Sequence, residues 1–253
     1  MQLILLHLLF NILSCIPLLV VASTIEIQDE PTTKEEGKVL DDENLKHLRL
    51  ASGIPITFSK ESAVMTHIDS FTQDELLEIK KLSQWKSKGI SSVTNVWKQD
   101  RFDLIYANVA EHKWIFERFT NLCKKANDEN GWGYEIFERP FEPIQAVTYL
   151  KGSFYGAHVD VVDRDLESRG PMRSRVCAVV LLVNDPETDY EGGRLHYYVE
   201  GNDGKETYAP SKAGTTLTWK ADELFHGVTE LTNGERQVAV YWVHGRKKMQ
   251  SEL

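Results

Sequence analysis

Gln145-Ala-Val-Thr-Tyr-Leu-Lys-Gly-Ser-Phe-Tyr-Gly-Ala-His-Val-Asp160 is the stretch from which the fold of this chain can be worked out. Residues 145–150 are typical of a β-strand, residues 151–153 are typical of a turn, and a second strand is predicted from about Tyr155 to Val162. Residues two apart in a strand point to the same side, so His158 and Asp160 are expected to project together. An exposed polar pair on an edge strand is the alternative interpretation.

The residues that follow Pro143 form a series of short apolar segments separated by Gly, Asn and Pro. This series predicts a mostly β fold with flanking helices, a double-stranded β-helix or jelly roll. Two N-terminal supporting helices are predicted, near Thr72 to Trp85 and from about Glu111 to Asn127. The residues expected to pack them onto the sheet are Phe71, Leu76, Leu77, Ile79 and Leu82 in the first helix, and Ile115, Phe119 and Leu122 in the second.

A second His-x-Asp pattern occurs at His67-Ile-Asp69. It lies directly ahead of Thr72 and Glu75, which make a capping box before an amphipathic run. We therefore interpret Asp69 as part of a helix entrance and His67 as a strand-end residue, not as metal ligands.

Two further chemistry-bearing residues, His226 and Arg236, lie downstream and are ten positions apart. His226 follows an apolar strand, residues 215–219, and is followed by Asn233-Gly234. Asn-Gly is a strong hairpin-turn signal, because both residues accept positive φ. The sequence therefore predicts His226 on one arm of a hairpin and Arg236 at the start of the other.

On this second arm Arg236 shares a face with Val238, Val240 and Trp242. An Arg among apolar neighbours indicates a bound anion, because an unpaired buried charge is costly; an Arg that reaches solvent from a strand end is the alternative. Two imidazoles and a carboxylate can hold one face of a divalent iron. A guanidinium can clamp the carboxylate of an oxo-acid in a bidentate manner.

From about Ile144 to His244 the sequence resembles the iron- and 2-oxoglutarate-dependent dioxygenases of the prolyl-hydroxylase type. The matching stretches occur in the order that is usual for that family and at its usual separations. They are residues 145–160, Val179-Val-Leu-Leu-Val-Asn-Asp185, Tyr190-Glu-Gly-Gly-Arg-Leu195, and His226 through Arg236 to Trp242.

The resemblance implies that His158, Asp160 and His226 are the iron(II) ligands. It implies that Arg236 binds the far carboxylate of 2-oxoglutarate and that Tyr149 helps to hold it through its hydroxyl. It further implies L-ascorbate as a cofactor, a protein or peptide substrate that contains proline, and hydroxylation coupled to decarboxylation of 2-oxoglutarate to succinate and CO2.

The chain departs from the pattern of the family at two positions. Collagen-type prolyl 4-hydroxylases usually carry Lys where Arg236 stands, which leaves both the 3- and the 4-position of proline open. Arg194 stands where many relatives have Glu. A lysyl or small-molecule hydroxylase, and a jelly-roll binding module without turnover, are the alternative functions.

The composition fits one catalytic domain and disfavours nucleic acid as a partner. The chain has 253 residues, 42% of them hydrophobic and 10% aromatic, enough for a sizeable core. A net charge of −9 argues against a nucleic-acid groove. Related nucleic-acid demethylases carry a second Arg six residues after the first, where this chain has Trp242. The oligomeric state is not indicated by the sequence.

The N-terminus predicts entry into the secretory pathway. Residues 1–23 are almost wholly apolar and end in Val21-Ala22-Ser23, which is typical of a signal peptide and its cleavage site; an uncleaved membrane anchor is the alternative. We expect a polar linker over residues 24–58, the dioxygenase domain over 59–248 and a tail over 249–253. The predicted location is the endoplasmic-reticulum lumen or the cell exterior.

Two smaller features have two interpretations each. Cys123 and Cys177 are able to form a disulfide in an oxidising lumen, or Cys177 is a small buried hydrophobe in an apolar strand. Residues 163–172 form a polar loop after the predicted metal-binding strand, either a lid over the substrate or a solvated connection.

Overall fold

The computed structural model describes residues 64–82, 97–98, 101–160, 174–186, 188–199 and 206–249. The predicted signal peptide, the linker and the polar loop at residues 163–172 lie outside these ranges, as does the tail from residue 250. They stay predictions. Within the described ranges, no helix combines the length and the apolar character that a membrane span requires.

Two antiparallel sheets form the fold, so the jelly-roll prediction is confirmed. The large sheet has the spatial order β1 (Val64–His67), β11 (Thr216–Lys220), β7 (Ser174–Leu182), β13 (Leu231–Lys247), β5 (Ile144–Leu150) and β3 (Arg101–Ile105), with β4 (Tyr134–Ile136) and β8 (Tyr190–Gly192) also paired to β13. The small sheet has the order β10 (Thr207–Tyr208), β9 (Leu195–Tyr198), β12 (Phe225–Val228), β6 (Phe154–His158) and β2 (Trp97–Lys98).

Two α-helices support the large sheet, as predicted. The first, α1, spans Gln73–Leu82, and the second, α2, spans Lys113–Glu129 after a short 3-10 turn. The capping box is present: the Thr72 amide donates to Glu75 Oε2 over 2.8 Å, and the Glu75 amide donates to Thr72 Oγ1 over 3.3 Å. One predicted core residue was wrong, because Leu77 is 53% exposed and lies on the solvent side of α1.

The large sheet is buried on both faces, which explains the continuous apolar run of β7. On one face Cys177, Val179 and Leu181 pack against the helices. On the other face Val180 and Leu182, with Trp219 from β11, fill the space between the two sheets. The alternation along β7 therefore separates a structural core from the interior of the barrel.

The predicted hairpin around Asn233-Gly234 was wrong. The β13 strand runs through both residues, and it pairs with β5 and β7 of the large sheet, whereas β12 belongs to the small sheet. Gly234 has φ +76° and lies opposite Tyr190, beside a register shift. The positive φ of Gly234 therefore allows the backbone of β13 to lie close to that of β8, and the chain does not reverse its direction here.

Cys123 and Cys177 are paired as a disulfide, with their Cα atoms 6.2 Å apart. Both side chains are fully buried. The bond joins α2 to β7 across the structural core, so the structure favours the first of the two interpretations of these cysteines.

Gly234→Ala is expected to destabilise the protein by more than about 3 kcal/mol, because a Cβ would add steric collision to an unfavourable φ. The added atom would lie 2.7 Å from the Tyr190 Cα and would also collide with the Asp189 carbonyl. The measurement is the free energy of unfolding in urea.

The matched control is Gly131→Ala. Gly131 has φ +62° but nothing within 4 Å of the added atom, so this variant should lose only about 1 kcal/mol. Equal losses in the two variants would contradict the assigned close approach.

Candidate metal centre

The sequence-predicted triad of His158, Asp160 and His226 comes together in the interior of the barrel. His158 ends β6 and lies directly opposite His226 of β12 in the small sheet, so their rings are 4.5 Å apart. Asp160 follows two residues later, with Oδ1 3.9 Å from His158 Nε2 and Oδ2 3.9 Å from His226 Nε2. The three ligand atoms all lie within 4.8 Å of one another.

Each imidazole is oriented by its own strand. Nδ1 of His158 donates to the Gly156 carbonyl over 2.9 Å, and Nδ1 of His226 donates to the Leu224 carbonyl over 3.0 Å. Because a carbonyl only accepts, both protons are on Nδ1, and the Nε2 lone pairs are left for a metal. The exposed-pair interpretation of residues 158–160 is wrong, since the side chains of His158 and Asp160 are only 4% and 5% exposed.

The electrostatics of His158 suit a ligand. Burial, together with the neighbouring His226, lowers the pKa of His158 to about 4. The imidazole is therefore neutral near pH 7, the form that binds metals. A neutral His158 makes no salt bridge with Asp160, so these two side chains offer ligand atoms and are not an ion pair.

Trp219 also belongs to this centre, and sequence reasoning missed it. Its indole Nε1 donates to Asp160 Oδ2 over 2.9 Å, and its ring lies 4.6 Å from that of His226. Trp219 reads in the sequence as one more apolar residue of the strand 215–219, and no local signal separates it from the core.

Arg236 is buried beside Tyr149, so the solvent-reaching alternative for this Arg is wrong. The two residues are register partners on β13 and β5, and the guanidinium lies 5.1 Å from the Tyr149 ring centre. Arg236 is only 2% exposed, and its Nη1 is buried without a hydrogen-bond partner. Arg236 also makes a hydrogen bond with the side chain of Tyr190, a residue to which sequence reasoning gave no role.

Tyr155 connects the Arg236 side of the barrel with the triad. Its ring centre lies 4.0 Å from that of His158. Burial raises the pKa of the Tyr155 hydroxyl, and the nearby Tyr149 and Asp160 raise it further. The hydroxyl therefore keeps its proton and is a hydrogen-bond donor at neutral pH.

A second polar cluster, formed by Glu142, Arg175, Trp242 and His244, lies near Tyr155, and sequence reasoning missed it. Arg175 donates to Glu142 through Nε over 2.7 Å and also through Nη2, and its guanidinium lies 4.0 Å from the Trp242 ring centre. His244 Nε2 lies 2.7 Å from Glu142 Oε1. Trp242 packs in the core between the two sheets, and Arg175 acts electrostatically on the Tyr155 hydroxyl and lowers its pKa, so the cluster borders the same interior as the metal centre.

Comparison with known families agrees with this geometry. Residues 144–244 match the model of the 2OG-Fe(II) oxygenase superfamily. The match covers the same part of the chain as the resemblance in sequence, so it supports that prediction.

Among curated proteins, a PKHD-type hydroxylase of Picosynechococcus sp. is 39% identical over 95 residues, which are 38% of this chain and 38% of that protein. A PKHD-type hydroxylase of Acaryochloris marina is 39% identical over 107 residues, 42% of this chain and 44% of that protein. The chain thus spans less than half the length of these relatives.

Among solved structures, a Pseudomonas putida prolyl-4-hydroxylase has a TM-score of 0.53 and 18% identity, over 73% of this chain and 93% of its own. A viral collagen prolyl hydroxylase from Paramecium Bursaria Chlorella virus-1 has a TM-score of 0.51 and 16% identity, over 72% and 95%. At these identities the likeness shows a shared fold, which agrees with the two-sheet topology.

Glu142→Gln is expected to remove a contribution to the folding free energy that the wild-type protein loses in acid. Burial alone would raise the pKa of Glu142, but the hydrogen bonds from His244 and Arg175 outweigh it and hold the pKa at about 2, below the usual 4.5. A lowered carboxyl pKa stabilises the fold above pH 4.5, and this stabilisation is lost as the pH falls towards 2. The difference between these two pKa values corresponds to about 3 kcal/mol of folding free energy.

The measurement is urea unfolding at several pH values between 6 and 2. The wild-type protein should lose stability more steeply than Glu142→Gln below pH 4.5, and the two curves should converge near pH 2. Glu138→Gln is the control, because the pair of Glu138 with Lys124 is exposed. Parallel curves for wild type and Glu142→Gln would show that the cluster does not hold a buried carboxylate.

Proposed function

We propose that the chain is an Fe(II)- and 2-oxoglutarate-dependent dioxygenase that hydroxylates peptidyl proline in proteins of the secretory pathway. One observation carries this proposal. Two Nε2 lone pairs and one carboxylate converge in a buried centre, and an unpartnered guanidinium nitrogen is buried in the same barrel interior. A binding module without turnover has no need of both.

The donor set fits ferrous iron. Two neutral imidazoles and one carboxylate are the ligand types of the facial arrangement that leaves open positions on a non-haem iron. His158, Asp160 and His226 would hold the metal, and the carbonyls of Gly156 and Leu224 already orient the two rings.

Arg236 fits the distal carboxylate of 2-oxoglutarate. A buried cation without an anionic partner is costly, and a planar guanidinium matches a carboxylate through two parallel hydrogen bonds. Tyr190 already bonds to the guanidinium, and Tyr149 lies against it. When bound, iron and 2-oxoglutarate supply the oxidising chemistry, with 2-oxoglutarate leaving as succinate and CO2.

The protein itself contributes orientation and exclusion of water. Val228, Leu195, Val238 and Leu217 pack between the sheets around the site, so bulk water has little access to the reacting groups. Tyr155 keeps its proton and packs its ring against His158.

The second polar cluster supports proline over lysine as the substrate. In this cluster the Arg175 guanidinium stacks on the Trp242 ring, and its Nε and Nη2 donate to Glu142. A lysine side chain would need a free carboxylate, but Glu142 is already bonded to Arg175 and His244. The similar solved structures are those of prolyl hydroxylases, which agrees with this choice.

The proposed location in the secretory pathway is supported by two features of the chain. One is the apolar segment of residues 1–21 with small residues after it. The other is the Cys123–Cys177 disulfide, a bond that persists in oxidising compartments. We include L-ascorbate as the reductant that keeps the iron ferrous.

The test is succinate release from 2-oxoglutarate with added iron(II) and ascorbate, over matched proline- and lysine-containing peptides. We expect proline peptides to stimulate succinate release and to gain one oxygen atom by mass, with the ring position read from the hydrolysed product. His158→Ala should lower this peptide-dependent rate by at least about 100-fold, because the metal loses a ligand.

His67→Ala is the matched control, because it removes the histidine of the other His-x-Asp pattern, which lies at the end of β1. It should retain the wild-type rate. Peptide-dependent succinate release that survives in His158→Ala would contradict the ligand assignment. Binding of metal and 2-oxoglutarate without turnover of any peptide would favour the binding-module alternative.

Arg236→Gln should raise the KM for 2-oxoglutarate by roughly 100-fold or more, since a buried charge pair is lost. Arg236→Lys should lie between Arg236→Gln and the wild type, because Lys keeps the charge but loses the planar fork. Affinity for Mn²⁺ should not change in either variant. Arg194→Gln is the control, since Arg194 is exposed and lies over Tyr208. An unchanged KM for 2-oxoglutarate in Arg236→Gln would show that Arg236 does not bind the co-substrate.

A further inference from the structure

Trp219 is placed on the opposite sheet from the two histidines. It lies on β11 of the large sheet, is 1% exposed, and projects into the core between the sheets. His158 and His226 lie on β6 and β12 of the small sheet. Trp219 therefore reaches the metal centre from the other wall of the barrel.

The bond from Trp219 to Asp160 is of the strong, charge-assisted kind. The indole N–H is a donor only, and it meets Oδ2 at 2.9 Å. The Asp160 side chain is 5% exposed, so water competes little for the same oxygen.

The carboxylate needs this support more than the imidazoles do. Both rings are held by carbonyls of their own strands, two residues before each His. Asp160 lies beyond the last residue of β6, so the ladder between β6 and β12 does not extend to it. Its orientation depends on a side chain from another strand.

Trp219 also limits the position of His226. The two rings are 4.6 Å apart and inclined by 56°. One indole thus contacts two of the three ligand side chains, the carboxylate through its N–H and an imidazole through its face or edge.

We infer that Trp219 is a positioning residue that holds the Asp160 carboxylate in its ligating orientation. The inference rests on the proposed metal centre and deepens it. With one oxygen engaged by the indole N–H, the carboxylate presents its other oxygen as the ligand atom. Ligation through a single oxygen occupies a single coordination position, which leaves the remaining positions open for the substrates.

The test is the affinity of the metal-free protein for Mn²⁺, measured from the electron paramagnetic resonance signal of the free ion. Mn²⁺ reports on the ligand set without any turnover. Trp219→Phe keeps an aromatic ring against His226 but removes the N–H, and we expect its Kd to rise about 10- to 100-fold, as is typical for loss of a partner of a metal ligand.

Trp114→Phe is the matched control. Trp114 also has a buried Nε1, but this nitrogen has no partner, and the residue packs against the structural core next to Phe71. Its Kd for Mn²⁺ should stay within a factor of about two of the wild-type value. A Kd for Trp219→Phe that is equally unchanged would overturn the inference. Failure of the wild-type protein to bind Mn²⁺ would instead contradict the proposed function.

A second measurement, nuclear magnetic resonance of the indole N–H groups, tests the hydrogen bond in proteins that retain Trp219. With ¹⁵N-labelled indoles, the six Trp residues give separate N–H resonances, and the one bonded to a carboxylate should lie downfield. Asp160→Ala should move that resonance upfield in the metal-free protein. If no indole resonance responds to Asp160→Ala, the bond is absent in solution and the inference fails, whether or not Trp219→Phe folds.

Discussion

The antiparallel pairing of β6 with β12 is the constraint on which the metal centre depends. It places His158 directly opposite His226, so two proposed ligands separated by 68 positions in the sequence become nearest cross-strand neighbours. Register is strongly specified here, because a slip by one residue would turn either imidazole to the other face of the sheet. The pattern of apolar residues that fills the barrel therefore also fixes the ligand geometry.

The large sheet supplies the groups that complete the site. Arg236 and Tyr149 face each other across β13 and β5, while Trp219 reaches over from β11 to Asp160. The helices take no part in this chemistry, because they cover the opposite face of the same sheet. The core under the helices and the interior of the barrel are thus built from the same strands, with alternate residues pointing to each side.

Much of this arrangement is readable from the sequence, and the failures have physical causes. The triad and Arg236 were predicted from short spacings and face alternation, which are local properties, whereas Tyr149 was predicted from the resemblance to prolyl hydroxylases. The hairpin at Asn233-Gly234 was wrong because positive φ at Gly234 serves a close approach to Tyr190, which no local pattern reveals. Trp219, Tyr190 and the cluster around Glu142 were missed because their roles arise from contacts between distant strands.

The uninterrupted course of β13 has a mechanical consequence. Arg236 and Trp242 lie on one face of this strand, six residues and therefore about 20 Å apart along the backbone. Between them, Val238, Ala239 and Val240 are paired on both sides, with β5 and with β7, so the extended backbone fixes the distance between the Arg236 and Trp242 positions. A change of side chains on this face would therefore alter the interior of the barrel without altering that distance.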